Sequence, residues 1–366
     1  MADSVLGADR PGRERKLTIS DLARHLGLSK GTVSRALSGY PDISDATKRR
    51  VLEAADALGY RPTSSARALS TGLAHSVALV LSVSGDSVQK AYLPDFLDGL
   101  STRLGQENWT LTVATASPAD DDIAVQKRLL AERKVDGFVI SRTRRRDARA
   151  AMLLEMGVPF VMYGRLEDVT GTSYFDFLGE DAMAAAVARL AAFGHRRIAF
   201  IGALDAYFMQ EKRAEGFMSG MADARLPVAA EMMREGGMTE GEGAKLAASL
   251  LADPEPPTAI ICAMDVAALG AYRAVDALGL TVGREVSIMS YDGIAEGAYA
   301  RPGLTTYAVD TAEAGRRLAD LLLRQIRGEA PETLRETAAA HLVVRGSDGP
   351  PVLSPCELAE RIAMAA

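Results

Sequence analysis

Lys30, Gly31, Ser34 and Arg35 stand at i, i+1, i+4 and i+5, which on a helix is one face with two cations, a hydroxyl and little bulk. Such a face suits the edge of a nucleic-acid base. Lys and Arg donate to guanine O6 and N7 in the major groove, and small residues beside them let the backbone approach. Ser29, Thr32 and Ser34 offer hydroxyls to phosphates, which fix register without reading sequence. The alternative is a plain helical bundle with a polar surface. No nucleophile elbow, phosphate-binding glycine loop or metalloprotease helix occurs, so no catalytic residues are expected. His25, His75, His195 and His341 lack metal-ligand spacing, and neither a metal nor a cofactor is expected.

That face needs a scaffold of short helices, and the flanking sequence carries their signals. Thr18-Ile19-Ser20-Asp21 reads as a capping box, with Thr18 as N-cap and Asp21 reaching back. Leu22, Ala23 and Leu26 follow at helical spacing, and Gly27 ends the helix. Ser29 caps a second helix that buries Val33, Ala36 and Leu37. Ser44 caps a third, with Val51, Leu52, Ala55 and Leu58 on its inner side. Two short helices joined by a glycine-containing turn, with a third closing the core, is the helix-turn-helix plan.

Charge follows the same division. Residues 1–72 carry 12 Lys+Arg against 8 Asp+Glu, whereas the whole chain of 366 residues has a net charge of −6. A basic head on an acidic body confines phosphate contact to the head. Cys262 and Cys356 are too few for a disulfide framework and suit a reducing compartment. No run approaches a membrane span, and residues 1–16 lack the apolar stretch of a secretory signal, so a cytoplasmic protein is expected.

From His75 onward, short apolar strands alternate with helices. Strands are expected at 76–82, 109–115, 135–140 and 158–162, with helices near 94–106 and 123–134. A second set has strands at 197–202, 259–262 and 286–290, with helices near 178–193, 211–224, 241–251 and 265–279. This alternation predicts parallel sheets covered by helices, in two lobes. Ligands of such sheets sit beyond the carboxyl ends of the strands, here an interlobe cleft. Tyr163 and Arg165 follow a strand and are candidates to line it.

The head sequence from Leu17 to Gly39, with Ile43-Ser44-Asp45-Ala46-Thr47, Val51-Leu52-Glu53-Ala54-Ala55 and Leu58-Gly59-Tyr60-Arg61-Pro62, resembles the LacI family of bacterial transcription repressors. Val135-Asp136-Gly137-Phe138-Val139-Ile140, Phe193-Gly194-His195-Arg196-Arg197-Ile198-Ala199 and Tyr291-Asp292-Gly293 extend the resemblance through the body. It implies a small all-α helix-turn-helix DNA-binding domain with a hinge helix. A two-lobed α/β domain of the periplasmic-binding-protein type I fold, with parallel sheets, follows. The expected divisions are a disordered arm at 1–16, the helix-turn-helix domain at 17–62, hinge helix and linker at 63–74, the effector-binding and dimerisation domain at 75–346, and a tail at 347–366. The tail lacks a leucine heptad for tetramerisation.

The implied partners are a pseudo-palindromic operator DNA, a second copy of the chain and a small-molecule effector, with a sugar favoured. The DNA-binding set is Thr18, Ser29, Lys30, Gly31, Thr32, Ser34 and Arg35, with Thr63, Ala66 and Leu69 of the hinge; Leu69 would wedge a minor-groove base step. The resemblance places Asp292 as the ligand-anchoring carboxylate, Tyr92 as an aromatic after the first body strand, and Ser141 as a polar group at a strand end. It places Tyr207, Phe208 and Gln210 in a contact loop, and Arg213 as a ligand group or a brace. Asp265 follows Met264 where relatives carry Asn or Ser; it lines the cleft or caps the next helix. The run Arg142-Thr143-Arg144-Arg145-Arg146 reads as a solvated loop, with a phosphorylated effector or partner protein as the alternative. A nucleobase corepressor and a free solute-binding protein are the competing functions; the second explains the body but not the head.

Overall fold

The computed structural model describes residues 17–60, 71–82, 87–116, 121–203 and 207–364. The expected arm at 1–16 and the hinge residues Thr63, Ala66 and Leu69 lie outside them. The chain forms two compact units, divided between His75 and Ser76.

The first unit contains α1 (Ile19–Leu26), α2 (Lys30–Leu37) and α3 (Asp45–Ala57). The Thr18/Asp21 capping box forms as the sequence predicts, and Gly27 ends α1 in the left-handed conformation. Ser29 and Ser44 each accept a backbone N–H three residues on, capping α2 and α3. Leu22, Ala23, Leu26, Val33, Ala36, Val51 and Ala55 make the core, which Tyr60 completes. Leu52, expected inside, is 50% exposed. It sits one residue past Val51, so when Val51 and Ala55 face the core, Leu52 turns outward.

The second unit has two lobes. β1 (Ser76–Ser82), α4 (Ser87–Gln106), β2 (Thr110–Ala116), α5 (Asp122–Ala131), β3 (Gly137–Ile140), α6 (Ala148–Glu155), β4 (Phe160–Tyr163) and β5 (Ser173–Phe177) build the first. Along β1, Val77 and Leu79 enter one hydrophobic layer, Ala78 and Val80 the opposite one. This is the period-2 alternation of a strand buried on both faces. The chain then crosses into the second lobe: α7 (Gly179–Phe193), β6 (Ile198–Ile201), α8 (Phe208–Asp223), β7 (Met233–Arg234), α9 (Glu240–Leu251), β8 (Ala259–Cys262), α10 (Asp265–Ala277), β9 (Ser287–Asp292), α11 (Glu296–Tyr299) and β10 (Thr305–Ala308).

Two further crossings follow. α12 (Thr311–Ile326) returns to pack in the core of the first lobe, and β11 (Arg335–Ala338) joins its sheet. β12 (His341–Val343) then closes the second sheet, the one antiparallel pairing among the described strands. The sheet orders are β11-β5-β4-β3-β1-β2 and β12-β10-β9-β8-β6-β7. The expected helix at 94–106 begins earlier, at Ser87. Pro94 sits inside it, although proline there usually marks a helix start. The tail expected from 347 is part of the second lobe. Ser347 is fully buried and donates to Ile288 O, and Leu358 of α13 (Pro355–Ala363) is buried in that lobe's core.

Candidate functional site

On the head, Lys30, Gly31 and Arg35 are exposed on α2, while Thr32 and Ser34 are half-buried. Arg35 pairs with Asp42 and lies 5.4 Å from the centroid of the Tyr40 ring. Both members of this ion pair are about half exposed, so releasing the guanidinium costs little.

In the second unit, a cavity of about 420 Å³ opens between the lobes at the carboxyl ends of the strands. Tyr163 comes from the end of β4, Asp176 from β5, Asp292 from β9, and Gln210 and Arg213 from the start of α8. Tyr92 belongs to an aromatic group in the first lobe. Its ring meets Phe96 edge-on at 5.9 Å, and Phe96 stacks on Tyr163 at 5.2 Å. Four buried side-chain oxygens lack a hydrogen-bond partner among the described residues, and three line this cavity: Tyr92 Oη, Glu180 Oε2 and Gln210 Oε1.

Charge in the cleft is arranged in pairs. Arg213 donates from Nη1 to Ala263 O at 2.7 Å, approaches Asp292 Oδ1 at 3.5 Å with Nη2, and lies 4.0 Å over the Tyr291 ring. Asp292 has φ of 122°, a conformation rare outside glycine and concentrated at functional positions. Desolvation pushes its carboxyl up to about 7, against the opposing pull of Arg213. Arg165 binds Asp176 Oδ2 and Glu180 Oε1, both at 2.6 Å, from behind the wall. Burial still raises Asp176 to about 6.

Six of the ten expected effector residues line the cavity: Tyr92, Tyr163, Tyr207, Gln210, Arg213 and Asp292. Four stand off it. Ser141 is buried and faces a side cavity of about 30 Å³ with Arg142, Arg144 and Arg149. Arg165 turns to its two carboxylates. Phe208 is buried, with Arg145 and Lys212 over its ring. Asp265 neither lines the cleft nor caps α10. It is fully buried and accepts from Ser290, from Thr306 Oγ1, and from the backbone N–H groups of Gly293 and Ile294. It therefore holds the turn that follows Asp292.

Asp176, Glu180 and Met264 are wall residues that sequence reasoning did not assign. Asp176 carried a signal, being a charge inside the apolar strand Ser173-Tyr174-Phe175-Asp176-Phe177. The arginine run also differs from expectation. Arg144 and Arg146 are exposed, Arg146 with Glu167 at 3.6 Å, but Arg145 pairs with Glu167 and with Glu211 of α8, and Arg142 lies 4.3 Å over the Tyr207 ring. Phe208 N donates to Thr143 O at 2.9 Å. The loop thus clasps the second lobe across one side of the cleft.

Comparison with known proteins agrees with both units. The family described as "Bacterial regulatory proteins, lacI family" matches residues 18–63, and "Periplasmic binding protein-like domain" matches 187–347. The transcriptional regulator AglR of Rhizobium meliloti is 34% identical over 343 residues, 91% of this chain and 95% of its own. The transcriptional repressor PurR of Mannheimia succiniciproducens is 27% identical over 90% of this chain and 98% of its own. Among solved structures, a CelR–cellobiose complex has a TM-score of 0.69 at 29% identity, covering 90% of this chain and 99% of that one. The lac repressor dimer bound to operator and the anti-inducer ONPF has a TM-score of 0.76 at 25% identity, covering 92% and 100%. The chain belongs to the LacI family. It is a ligand-responsive, DNA-binding transcriptional regulator whose helix-turn-helix head precedes a periplasmic-binding-protein-like body.

Proposed function

We propose that this regulator is a repressor that binds a pseudo-palindromic operator as a homodimer and is released by a saccharide bound in the interlobe cleft. The observation that carries the effector class is the set of buried oxygens of Tyr92, Glu180 and Gln210 that lack a hydrogen-bond partner among the described residues. Buried polar groups left without partners are costly, and a ligand rich in hydroxyls can donate to the Glu180 and Gln210 oxygens and pair either way with the Tyr92 hydroxyl. The aromatic group of Tyr92, Phe96 and Tyr163 gives the apolar surface that a sugar ring's C–H face prefers. The cellobiose carried by the similar CelR structure accords with this reading.

On DNA, α2 enters the major groove. Arg35 leaves Asp42 for guanine, Lys30 reaches a neighbouring base, and Ser29, Thr32, Ser34 and the Thr18 hydroxyl contact phosphate. The hinge residues Thr63, Ala66 and Leu69 meet the minor groove. A near-complete switch requires the effector to prefer the released state by roughly 10⁴-fold, about 5.5 kcal/mol.

Thermal unfolding against neutral sugars, sugar phosphates and nucleobases tests the effector class. A saturating rise of the midpoint with a sugar is expected, since a ligand of the native state stabilises by mass action. Operator recovered by selection from randomised duplexes then reports the sign. Weaker operator binding with the sugar is expected; tighter binding makes the protein a corepressor-dependent regulator. A shift with a nucleobase alone sinks the saccharide reading.

A further inference from the structure

We propose that the cleft selects against anions: it takes a saccharide whose polar groups are hydroxyls and rejects the phosphate or carboxylate of the same sugar. This rests on the saccharide reading above.

A buried site holds an anion with charge-assisted donors or with the free N–H groups of a helix N-terminus. The cations that reach this cavity are already engaged. Arg213 is committed to Ala263 O, Asp292 and the Tyr291 ring. Lys212 pairs with Glu215 Oε2 at 2.7 Å and lies over the Phe208 ring. Arg142 covers Tyr207.

Acidic side chains also stand in the first turns of the helices around the cavity. The first turn of α7 carries Glu180 and Asp181, that of α8 Glu211, that of α10 Asp265, and that of α12 Glu313. Glu180, Asp181, Glu211 and Glu313 offset the positive ends of their helices, whereas Asp265 is turned to Ser290, Thr306 and the turn after Asp292, and no side chain among the described residues caps α7, α8 or α10.

Two of the three cavity groups that lack partners among the described residues point the same way, the Tyr92 hydroxyl being able to donate or accept. Gln210 is only 7% exposed, and its Oε1 has no donor. Glu180 Oε2 has none either. A hydroxyl satisfies both, whereas a phosphate or carboxylate oxygen brings a further acceptor. Five carboxyl groups line the cavity, those of Asp95, Asp176, Glu180, Asp292 and Glu296, against three cations, and an anion beside Asp176 and Asp292 would oppose the ionisation that burial already disfavours. An added negative charge meets like charge in a partly desolvated space, an arrangement that suppresses wrong partners.

The test is titration calorimetry on the full chain in phosphate-free buffer. The probes are glucose, galactose, maltose, cellobiose and melibiose; a phosphate and a uronate of each; the methyl esters of those uronates; and inorganic phosphate. A neutral sugar is expected to saturate. Its phosphate and uronate should bind at least about a hundredfold more weakly, with no binding of inorganic phosphate. The methyl ester, which keeps the bulk and removes the charge, should regain most of the lost affinity. An anionic sugar that binds as tightly as its neutral counterpart overturns the proposal. So does an ester as weak as the acid, because size and not charge then does the excluding. If no saccharide binds, neutral or charged, the saccharide reading itself falls and takes this one with it.

Discussion

Lys30 and Arg35 project from one eight-residue helix toward solvent, whereas Tyr92, Glu180, Gln210 and Asp292 converge from segments spread along the whole body. The first site is made by helical pitch alone. The second is made by sheet topology, and its charged members are fixed by partners: Arg165 holds Asp176 and Glu180, Arg213 faces Asp292, and Asp265 pins the adjoining turn. A surface site of the first kind is set to meet a large, uniformly charged partner whose phosphates provide the attraction. A site of the second kind fixes its charged groups before its ligand arrives, because each charge left unpaired inside it carries a desolvation cost, and leaves only a few neutral or half-satisfied oxygens for the ligand.

Substitutions that remove the support of each site measure this difference, and the largest effect belongs to the cleft. Asp265→Ala leaves two hydroxyls and two backbone N–H groups without their acceptor in a fully buried setting. It is expected to cost about 3–5 kcal/mol in chemical denaturation. A loss below about 1 kcal/mol would show that the cleft does not depend on prior pairing. On the head, Arg35→Ala should leave folding unchanged and cost about 1–3 kcal/mol of operator binding, since it removes one base-reading fork. Competition with non-specific DNA checks it; equal losses on both DNAs would make Arg35 a phosphate contact.

Acidity separates the sites next. Burial lifts the Asp292 carboxyl from 3.8 to about 7 in the folded chain, so between those values the native state holds a proton that the unfolded state has released. Stability therefore declines as pH rises from about 4 to about 7. Asp292→Asn should remove this group's share of the decline, on the order of 1–3 kcal/mol. Denaturation of both proteins across that window reads it, and parallel curves would refute the buried carboxyl. The smallest effect is expected at the clasp. Arg145 is 48% exposed, so Arg145→Ala should cost no more than about 1 kcal/mol, and the difference should vanish in 1 M salt. A larger, salt-resistant loss would place the clasp among the main supports of the closed lobes.

The same contrast decides what could be read from the chain. Caps at Thr18, Ser29 and Ser44 act within three residues, so the head's helices were legible one by one. Strand–helix alternation gave the two lobes, but not the return of α12 and β11 to the first, because a short strand such as Arg335–Ala338 carries no periodic signal of its own. Phe208 and Asp265 were misplaced for a related reason. Each neighbours a residue that does line the cavity, and only the direction of the helix start decides which of the two faces it. Glu180 belongs to the cleft because Arg165, fifteen residues earlier, turns toward it. No local rule contains that contact.

The three passages of the chain between the lobes run side by side. Leu178 N donates to Ala338 O at 2.9 Å, and Ala308 pairs with His341 across the β10–β12 ladder. Three parallel tethers at one edge leave two rigid bodies free to turn about a single line and resist sliding or splaying. The body is then a mechanical linkage with one soft coordinate. A ligand that fits the cleft better at one lobe angle would favour that angle.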